Sequence, residues 1–405
     1  MKSNYKKLGE FITEVNFRNT DLAVNKLVGV SMEKTFISSV ANLVGTDMSV
    51  YKILSKGQLA CKLMSVGRDE KLPVDLYREE VPAIVSSAYY VFKPKNDKIL
   101  LSEYLFMWLC RPENDRYLGF ISGSDVRGGI SWETFCETPI KVPSVKKQKE
   151  IVKEYNVILN RITLKKQLIQ KLEETAQAIY KQWFVDFEFP DEKEKSYKSS
   201  GGEMVYNDEL EKEIPKGWLN TNVKIFCKDM KSGGTPDRGN SKYWNSNDIP
   251  WLKTGEIKNN IILSTEEYTS YEGLKNSSAK LLPKDTVLMS MYGVNAGEIG
   301  ILKFEAATNQ ACCGMICEDQ IHSAYLYYHL LHNQSFISSE SIGGAQENLS
   351  KDYVEKIPIL KPTNNLLKKS GLKIIIDNKE ILTKEISLLN GISDLLLSKL
   401  ATINN

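Results

Sequence analysis

The feature that most constrains this chain is a motif that occurs twice, once in each half. The segment Ile130–Pro143 returns 219 residues later as Leu349–Pro362, with Ser, Pro, Ile and Pro in the same register. Upstream, Tyr104–Leu109 has a counterpart at Tyr325–Leu330, at an offset of 221 residues. Two matches in the same order indicate a duplicated domain.

A helical pattern follows each copy of the motif. Its residues recur at alternating steps of four and three, as in the seam of a coiled coil, and Lys165 is the one polar interruption of the first seam. The second seam is less regular. The first consists of Ile151, Tyr155, Ile158, Ile162, Lys165, Ile169, Leu172, Ala176, Ile179 and Trp183, and the second of Ile375, Lys379, Leu382, Ile386, Leu389, Ser393, Leu396 and Leu400.

The length of the first helix favours one interpretation of these seams. The alternative is that each helix packs only onto its own domain. However, roughly 33 residues at ~1.5 Å each give a helix about 50 Å long, more than one domain of this size needs. We therefore predict a mixed α+β fold: two similar globular domains, related by a pseudo-two-fold repeat and separated by an antiparallel pair of long coiled-coil helices.

Composition excludes several classes of protein. No apolar run approaches the ~18 to 20 residues of a membrane span, and the start lacks a signal peptide, so we expect a cytoplasmic protein without membrane contact. The seven cysteines have no CxxC spacing, which argues against a disulfide framework or a zinc ribbon. The net charge of +2 is low for a protein that binds DNA alone, so a DNA-binding chain of this composition would have to concentrate its basic groups on one face or share the phosphate contacts with partner subunits.

Several motifs resemble one known family over nearly the whole chain. Ala178–Phe187 followed by Glu213–Trp218 is similar to the junction between the central helix and the second recognition domain of type I restriction-modification specificity subunits. Further similar motifs in the second half are Gly233–Pro236, Tyr243–Trp244, Ile249–Trp251, Ser290, Asn309–Ala311 and Gly343–Gln346, and in the first half Arg18–Asn19, Arg68–Glu70, Ile84–Ser86 and Ser124–Gly128.

This resemblance implies a non-catalytic, DNA-reading subunit. Each globular domain would read one half of a bipartite site in double-stranded DNA, while the helices set the spacing and dock the methylation subunits. Two methylation (M) and two restriction/motor (R) subunits would assemble around the chain. It would bind no cofactor itself, since S-adenosylmethionine, ATP and Mg would belong to the partners. Thr363–Leu367 departs from the pattern because it lacks the Gln-containing start seen at Lys147–Glu150.

The resemblance and the linker-like segment 191–202, which is charged and then small and polar, set the predicted domain limits. They are a first target-recognition domain at 1–145, a central long helix at 146–190, a linker at 191–213, a second target-recognition domain at 214–362 and a distal long helix at 363–405.

Candidate DNA-binding residues follow from the repeat and from the chemistry of base reading. Arg and Gln side chains can make two hydrogen bonds to one base edge. The repeat aligns Arg127 with Gln346, each in a Gly-flanked loop just before the shared Ser, so these are the first choices. The remaining candidates are Lys34, Arg68, Tyr89 and Ser124 in the first domain, and Thr235, Lys253, Ser290, Tyr292, Asn309 and Gln310 in the second.

Two other functions are weighed against DNA reading. Asp237, Glu256 and Lys258 have a PD/ExK-like spacing that could ligate Mg²⁺ in a DNA nuclease, and a non-DNA scaffold would also use long helices. The chain has no Pro-Pro pair, as a base-flipping amino-methyltransferase loop requires, and no GxxxxGK[ST] phosphate loop. The three histidines, near Cys312, Cys313 and Cys317, lack the spacing of a zinc ligand set.

Overall fold

The computed structural model describes residues 5–38, 46–64, 66–122, 128–340 and 348–402. The chain divides into two compact units. Unit 1 comprises residues 1–163 with 387–405, and unit 2 comprises residues 164–386. Each unit has its own buried apolar clusters, as expected of separately packed domains.

Unit 1 combines short antiparallel strands with helices. A four-stranded sheet has the order β2-β9-β6-β7, and three two-stranded ladders pair β1 with β10, β3 with β4 and β5 with β8. The strands are β1 Lys6–Lys7, β2 Ile12–Glu14, β3 Val28–Val30, β4 Phe36–Ser38, β5 Lys52–Leu54, β6 Leu59–Cys61, β7 Val74–Leu76, β8 Ala83–Val85, β9 Tyr90–Pro94 and β10 Pro139–Ile140, and the helices before the long one are α1 Val66–Asp69, α2 Ser102–Leu109, α3 Pro112–Ile121 and α4 Trp132–Cys136.

The first long helix, α5, spans Val145–Tyr180 and continues as a π-helical turn over Lys181–Val185. The predicted helix to residue 190 is therefore too long. Phe187 has a positive φ of 62°, which ends the helical path. Phe187 and Phe189 then pack around Trp218 in the core of unit 2 instead of extending the seam.

Unit 2 is built on a five-stranded sheet of order β14-β21-β18-β19-β16 and a three-stranded sheet of order β17-β15-β20, with two-stranded ladders β11-β12 and β13-β22. β18 is apolar and buried on both faces because it lies inside the larger sheet. The strands are β11 Met204–Asn207, β12 Lys212–Pro215, β13 Leu219–Asn222, β14 Asp229–Ser232, β15 Ile249–Leu252, β16 Asn260–Ile262, β17 Glu267–Thr269, β18 Val287–Ser290, β19 Ile299–Leu302, β20 Ala307–Thr308, β21 Cys312–Ile316 and β22 Pro358–Lys361.

The helices of unit 2 end with the second long helix. They are α6 Val223–Phe226, α7 Tyr271–Lys275, α8 Gln320–His332, α9 Gln334–Ser339, α10 Lys351–Lys356, α11 Asn364–Lys369 and α12 Leu372–Lys399. The predicted distal helix is thus interrupted between α11 and α12, where Gly371 adopts a φ of +72° that L side chains rarely take. In the part of the chain that the structure describes, no helix could cross a membrane.

Seam residues of the two long helices contact each other within each unit. In unit 1, Tyr155 of α5 shares a buried cluster with Leu397 of α12 and with Leu400, which follows α12 directly. In unit 2, Lys165 forms an ion pair with Glu385, and Lys379 forms one with Glu173. The two lysines of the predicted seams are therefore each paired with a carboxylate of the opposite helix.

The two units use the same side chain to backbone hydrogen bonds around the repeated motif. In unit 1, the Tyr104 hydroxyl donates to the carbonyl oxygen of Lys141 (3.0 Å), and Trp108 Nε1 donates to that of Pro139 (3.1 Å). In unit 2, the Tyr325 hydroxyl donates to the carbonyl oxygen of Leu360 (2.7 Å), and His329 Nε2 lies 2.9 Å from that of Pro358. The four acceptors lie at matching positions of the motif.

The strand within each copy of the motif is also paired in the same way. β10 pairs antiparallel with β1, where Lys7 faces Pro139, and β22 pairs antiparallel with β13, where Asn222 faces Pro358. The next backbone hydrogen bond is also equivalent in the two units. Leu8 N donates to Thr138 O at 2.9 Å, and Val223 N donates to Ile357 O at 3.0 Å. Leu8 and Val223 are both fully buried.

Candidate nucleic-acid interface

Lys34 is the candidate of unit 1 that is most engaged inside its own domain. It lies in the turn between β3 and β4 with a φ of +58°. Its ammonium donates to Asp115 Oδ1 (2.8 Å) and to the Leu109 carbonyl oxygen (2.9 Å), and the side chain is only 10% exposed. Asp115 also accepts from Leu72 N at 3.0 Å. These contacts attach the β3–β4 turn to α3. They also leave the charge of Lys34 already paired.

Arg68 has the exposure that a DNA contact requires. It lies on α1, its side chain is 70% exposed, and Nε donates to Asp69 Oδ1 at 2.8 Å. This hydrogen bond raises the pKa of Arg68. The guanidinium is thus held in one orientation but remains open to solvent. Tyr89 is half-buried, and its hydroxyl accepts a hydrogen bond from Val30 N at 3.1 Å, which fixes the β3–β4 hairpin.

Arg127 and Gln346, the first-choice pair, lie outside the described residues, and so does Ser124. The flanks of their segments are described. In unit 1, Gly67 N donates to Gly128 O at 2.7 Å, next to Arg68. In unit 2, Tyr292 forms an antiparallel bridge with Asn348. Arg68 and Tyr292 therefore lie beside Gly128 and Asn348, the described residues that follow these segments in the sequence.

Four candidates of unit 2 come together around the Gly-Gly-Thr-Pro segment. The Thr235 hydroxyl donates to Gln310 Oε1 at 2.6 Å. Asn309 N donates to Leu252 O at 3.1 Å, which places this loop beside β15 and Lys253. Trp251 Nε1 donates to the Gly234 carbonyl at 3.0 Å. A Cβ at Gly233 would lie 2.1 Å from Asn309 O, so only glycine allows this close approach.

The charges near this cluster largely cancel one another. Lys253 Nζ lies 2.9 Å from Glu267 and 3.3 Å from Glu266, and these hydrogen bonds raise the pKa of Lys253. The guanidinium of Arg238 stacks 3.6 Å from the ring centre of Trp244, and its NH1 donates to Glu267 at 2.6 Å. Arg238, half-exposed and pinned between an aromatic ring and a carboxylate, is a functional candidate that the sequence analysis missed.

Ser290 requires a correction. The side chain is fully buried in β18, and its hydroxyl has no hydrogen-bond partner among the described residues. The structure thus removes Ser290 from the candidate surface, because a serine within the central strand of a sheet cannot reach a groove of DNA. Tyr292, two residues further on, is 43% exposed and stays a candidate.

The nuclease-like residues do not form a metal site. Glu256 Oε1 accepts hydrogen bonds from Lys253 N (2.9 Å) and from the Thr265 hydroxyl (3.1 Å), and its Oε2 accepts from Glu266 N (3.1 Å). Its carboxylate therefore closes a turn of the backbone. Asp237 accepts from Gly239 N at 2.9 Å in a turn of its own. Across residues 5–38, 46–64, 66–122, 128–340 and 348–402, no group of three or more His, Cys, Asp or Glu residues could hold a metal ion.

The histidines instead stabilise the core of unit 2. His329 Nδ1 lies 2.8 Å from the Tyr180 hydroxyl, while Nε2 reaches the carbonyl of Pro358. Burial lowers the pKa of His329 to about 4, so the ring is neutral at neutral pH. His322 lies 2.8 Å from Asp319, the residue that caps α8.

The loops that follow β6 and β18 contain further exposed residues that sequence reasoning missed. Leu63 O accepts from Ile130 N (3.1 Å), and Met291 O accepts from Leu349 N (2.7 Å), so the two loops begin at matching places in the repeat. Met64 is 50% exposed. Val294 is 94% exposed, the highest value among the exposed large apolar residues of the described chain.

The chain consists of two mixed α/β units, each with one copy of the repeated motif and its matched hydrogen bonds. The family model for the type I restriction modification DNA specificity domain matches residues 76–174 and 215–387, together more than half of the chain. The chain belongs to this family. Neither the nuclease nor the non-DNA scaffold receives support from this result.

Two named specificity subunits match most of the chain in sequence. In an alignment of 424 residues, the chain is 25% identical to the type I restriction enzyme HindI specificity subunit of Haemophilus influenzae. The alignment covers 90% of this chain and 89% of the relative. It is 27% identical over 316 residues to the MjaIX specificity subunit of Methanocaldococcus jannaschii, covering 74% and 68%. A crystal structure of a type I restriction-modification S subunit from M. genitalium has the same fold, with a TM-score of 0.56 at 13% identity over 98% of this chain and 95% of that one.

Proposed function

We propose that each unit of this specificity subunit reads one half of a bipartite site in double-stranded DNA. The observation that supports this most strongly is the matched hydrogen-bond frame. Tyr104 and Trp108 in unit 1 and Tyr325 and His329 in unit 2 hold equivalent backbone carbonyls. Two copies of one scaffold with different surface loops suit the reading of two different half-sites by one chain.

We further propose that the long helices pair antiparallel as a coiled coil and set the gap between the half-sites. The cross-helix ion pairs support this arrangement. Along α5 the sequence runs from Lys165 to Glu173, while the partners on α12 run backwards from Glu385 to Lys379. A chain reversal of this kind is the pattern of antiparallel helices.

The partners of the chain are also part of the proposal. Two methylation subunits and two restriction/motor subunits would assemble with it, the former on the long helices. S-adenosylmethionine, ATP and Mg would be bound by those partners. Because the DNA that such a complex reads lies in the cytoplasm, we propose that location for the chain.

Mapping methylated adenines in a host that carries this chain with its methylation subunit tests the reading of a split site. We expect one motif with two short defined halves and a fixed undefined gap. Methylation at a single uninterrupted motif, or at no motif that depends on this chain, would refute the proposal.

A paired deletion tests the role of the helices. Removing one heptad from each helix, residues 161–167 and 382–388, keeps the alternating four-three seam but shortens each helix by about 10 Å. We expect the gap to shorten by about three base pairs at 3.4 Å each. The matched control removes a heptad from α5 alone, which should abolish site-specific methylation. An unchanged gap in an active paired deletion would contradict the proposal.

A further inference from the structure

The loop between β18 and β19 of unit 2 is hydrogen-bonded internally and has an apolar residue at its tip. Gly297 N donates to Ser290 O (2.8 Å), Ala296 N donates to Gly293 O (2.9 Å), and Glu298 N donates to Asn295 O (2.9 Å). At its apex Val294 is 94% exposed. These three backbone hydrogen bonds connect the two sides of the loop below Val294.

Contacts from outside the loop hold it in place. From α9, the Ser338 hydroxyl donates to Ala296 O (3.1 Å), and Gln334 Nε2 donates to Gly297 O (3.1 Å). On the other side, Gly293 N reaches Asn348 Oδ1 at 3.4 Å. Gly293 and Gly297 have φ values of +71° and +89°, which glycine adopts without strain. The loop is thus supported on both flanks, while the Val294 side chain projects away from its own domain.

The chemistry of the loop fits a base edge better than a phosphate. No charged residue occurs from Val287 to Gly297, so the loop offers phosphates no cationic side chain. Its exposed groups are the isopropyl group of Val294, the Tyr292 side chain and the half-buried Asn295. In the major groove, the one apolar group on a base edge is the C5 methyl of thymine, which apolar side chains recognise by contact.

We infer that Val294 is a specificity-determining residue that contacts the C5 methyl group of a thymine in the half-site read by unit 2. This inference rests on the proposed reading of one half-site by each unit. It adds to that function an apolar contact where the sequence analysis predicted polar readers. Burial of one methyl group between protein and base corresponds to about a fourfold gain in affinity.

Replacing thymine by uracil tests the contact because it removes only that methyl group. The specificity subunit, assembled with its methylation subunits, is titrated against duplexes that carry the mapped site, with each thymine of both halves changed singly to deoxyuridine. For the wild type, uracil at one position should weaken binding by about fourfold. The Val294→Ala variant should bind the unmodified duplex about fourfold more weakly and lose nothing further at that position.

Val205→Ala is the matched control. Val205 is also an exposed valine of unit 2, 48% accessible, but it lies on β11 in a separate two-stranded ladder. This variant should respond to every uracil as the wild type does. Thermal unfolding of both variants should match the wild type, because neither side chain is buried.

Several results would overturn the inference. These are wild-type affinity of Val294→Ala for the unmodified duplex, an undiminished uracil effect in the variant at every position, and weaker assembly of the variant with the methylation subunits. Failure of the proposed function looks different. In that case the wild type itself would not prefer the mapped duplex over a scrambled one.

Discussion

Both units hold the backbone of the repeated motif with hydrogen bonds from side chains, but one of these side chains differs between the units. In both units, a tyrosine donates a hydrogen bond to the backbone between the two prolines of the motif. A second ring, one helical turn after that tyrosine, contacts the carbonyl of the first proline. That second ring is Trp108 in unit 1 and His329 in unit 2. The hydrogen bond is the same, but only the imidazole can gain a proton. One scaffold position can therefore differ in its response to pH between two copies of the same domain.

The loops after β6 and β18 differ in a second way. In unit 1 the chain forms α1 and exposes Arg68, which is hydrogen-bonded to Asp69. In unit 2 the chain forms the hydrogen-bonded loop with Val294 at its tip. The backbone frame of the repeat is thus kept, whereas the exposed loop that follows the strand differs between the units. This separation lets one half of a duplicated protein acquire a new target without a change in the other half.

The largest expected effect concerns acid stability. Burial, with smaller contributions from the charges of His332 and Lys212, lowers the pKa of His329 to about 4, against an opposing effect of the Pro358 carbonyl. The folded-state pKa lies below the unfolded value of about 6.5. The contribution of neutral His329 to the stability of unit 2 is therefore fully present above pH 6.5 and is lost as the pH falls toward 4. We expect unit 2 to lose about 2 kcal/mol at pH 5 and about 3 kcal/mol at pH 4 from this group.

Pulsed hydrogen exchange during urea unfolding, analysed by mass spectrometry, reports the two units separately. The His329→Gln variant should be less stable than the wild type at pH 7.5, yet it should lack this pH-dependent loss. Peptides around Trp108 should show no change between the two proteins. An equal acid response of wild type and variant in unit 2 would show that His329 does not cause the difference in pH response between the units.

The next effect concerns the glycines that shape the two loops. Gly128 has a φ of +63°, and a Cβ there would lie 2.6 Å from the backbone nitrogen of Arg68, which cannot move aside. At Gly297, the nearest atom to an added Cβ is the Ser338 hydroxyl oxygen at 2.3 Å, which belongs to a side chain that can rotate. We expect Gly128→Ala to destabilise unit 1 by about 3 kcal/mol and Gly297→Ala to destabilise unit 2 by about 2 kcal/mol.

Gly57→Ala provides the control for both substitutions. Gly57 has a φ of +83° but no atom within 4 Å of an added Cβ, so it isolates the backbone strain of about 1 to 2 kcal/mol. Urea unfolding of the three variants gives the order directly. If Gly57→Ala proves as destabilising as Gly128→Ala, the close approach to Arg68 has no energetic importance.

A smaller effect tests whether the tyrosines are equivalent. Tyr104→Phe and Tyr325→Phe each leave one backbone carbonyl without its donor. Leu360 is buried, whereas Lys141 is half-buried, so water can replace the lost donor more readily in unit 1. We expect about 1 to 2 kcal/mol of destabilisation for Tyr325→Phe and about half of that for Tyr104→Phe, as measured by urea unfolding. The reverse order would show that the two hydrogen-bond frames differ more than their geometry indicates.

Particular residues show what sequence reasoning could and could not predict. The repeat aligned Tyr104 with Tyr325 and Pro139 with Pro358, and the structure gives both pairs equivalent hydrogen bonds, because motif residues that hold a backbone keep their spacing. The heptad pattern located the long helices. It did not locate their ends, since Phe187 and Phe189 continue an apolar pattern while they pack into unit 2.

The candidate surface was less predictable. Ser290 and Tyr292 are close neighbours in the sequence, yet one is buried inside a sheet and the other is exposed, because the strand ends between them. Val294 carries no polar group, so a search for hydrogen-bonding side chains passes over it. Its only sequence signal is its position between two glycines in an uncharged run. The pairing of Lys34 with Asp115 depends on a contact 81 residues apart, which no local pattern reveals.

The smallest expected effect distinguishes the two loops by the salt dependence of DNA binding. Arg68 is a cation with a 70% exposed side chain, whereas Val294 carries no charge. If Arg68 neutralises one phosphate, Arg68→Ala should lower the slope of log K against log salt by about 0.9. Val294→Ala should weaken binding about fourfold at every salt concentration and leave the slope unchanged. Titrations of the assembled complex between low and moderate salt measure both slopes, with Arg68→Lys as the control that keeps the charge.

The outcome decides how far the two reading loops have diverged. An unchanged slope in Arg68→Ala, together with a loss confined to one base pair of the first half-site, would make Arg68 a base reader like Val294, and the two loops would then differ only in the chemistry of the base edge they contact. A lower slope without loss of sequence preference would assign unit 1 an electrostatic anchor at the place where unit 2 has a contact to a base.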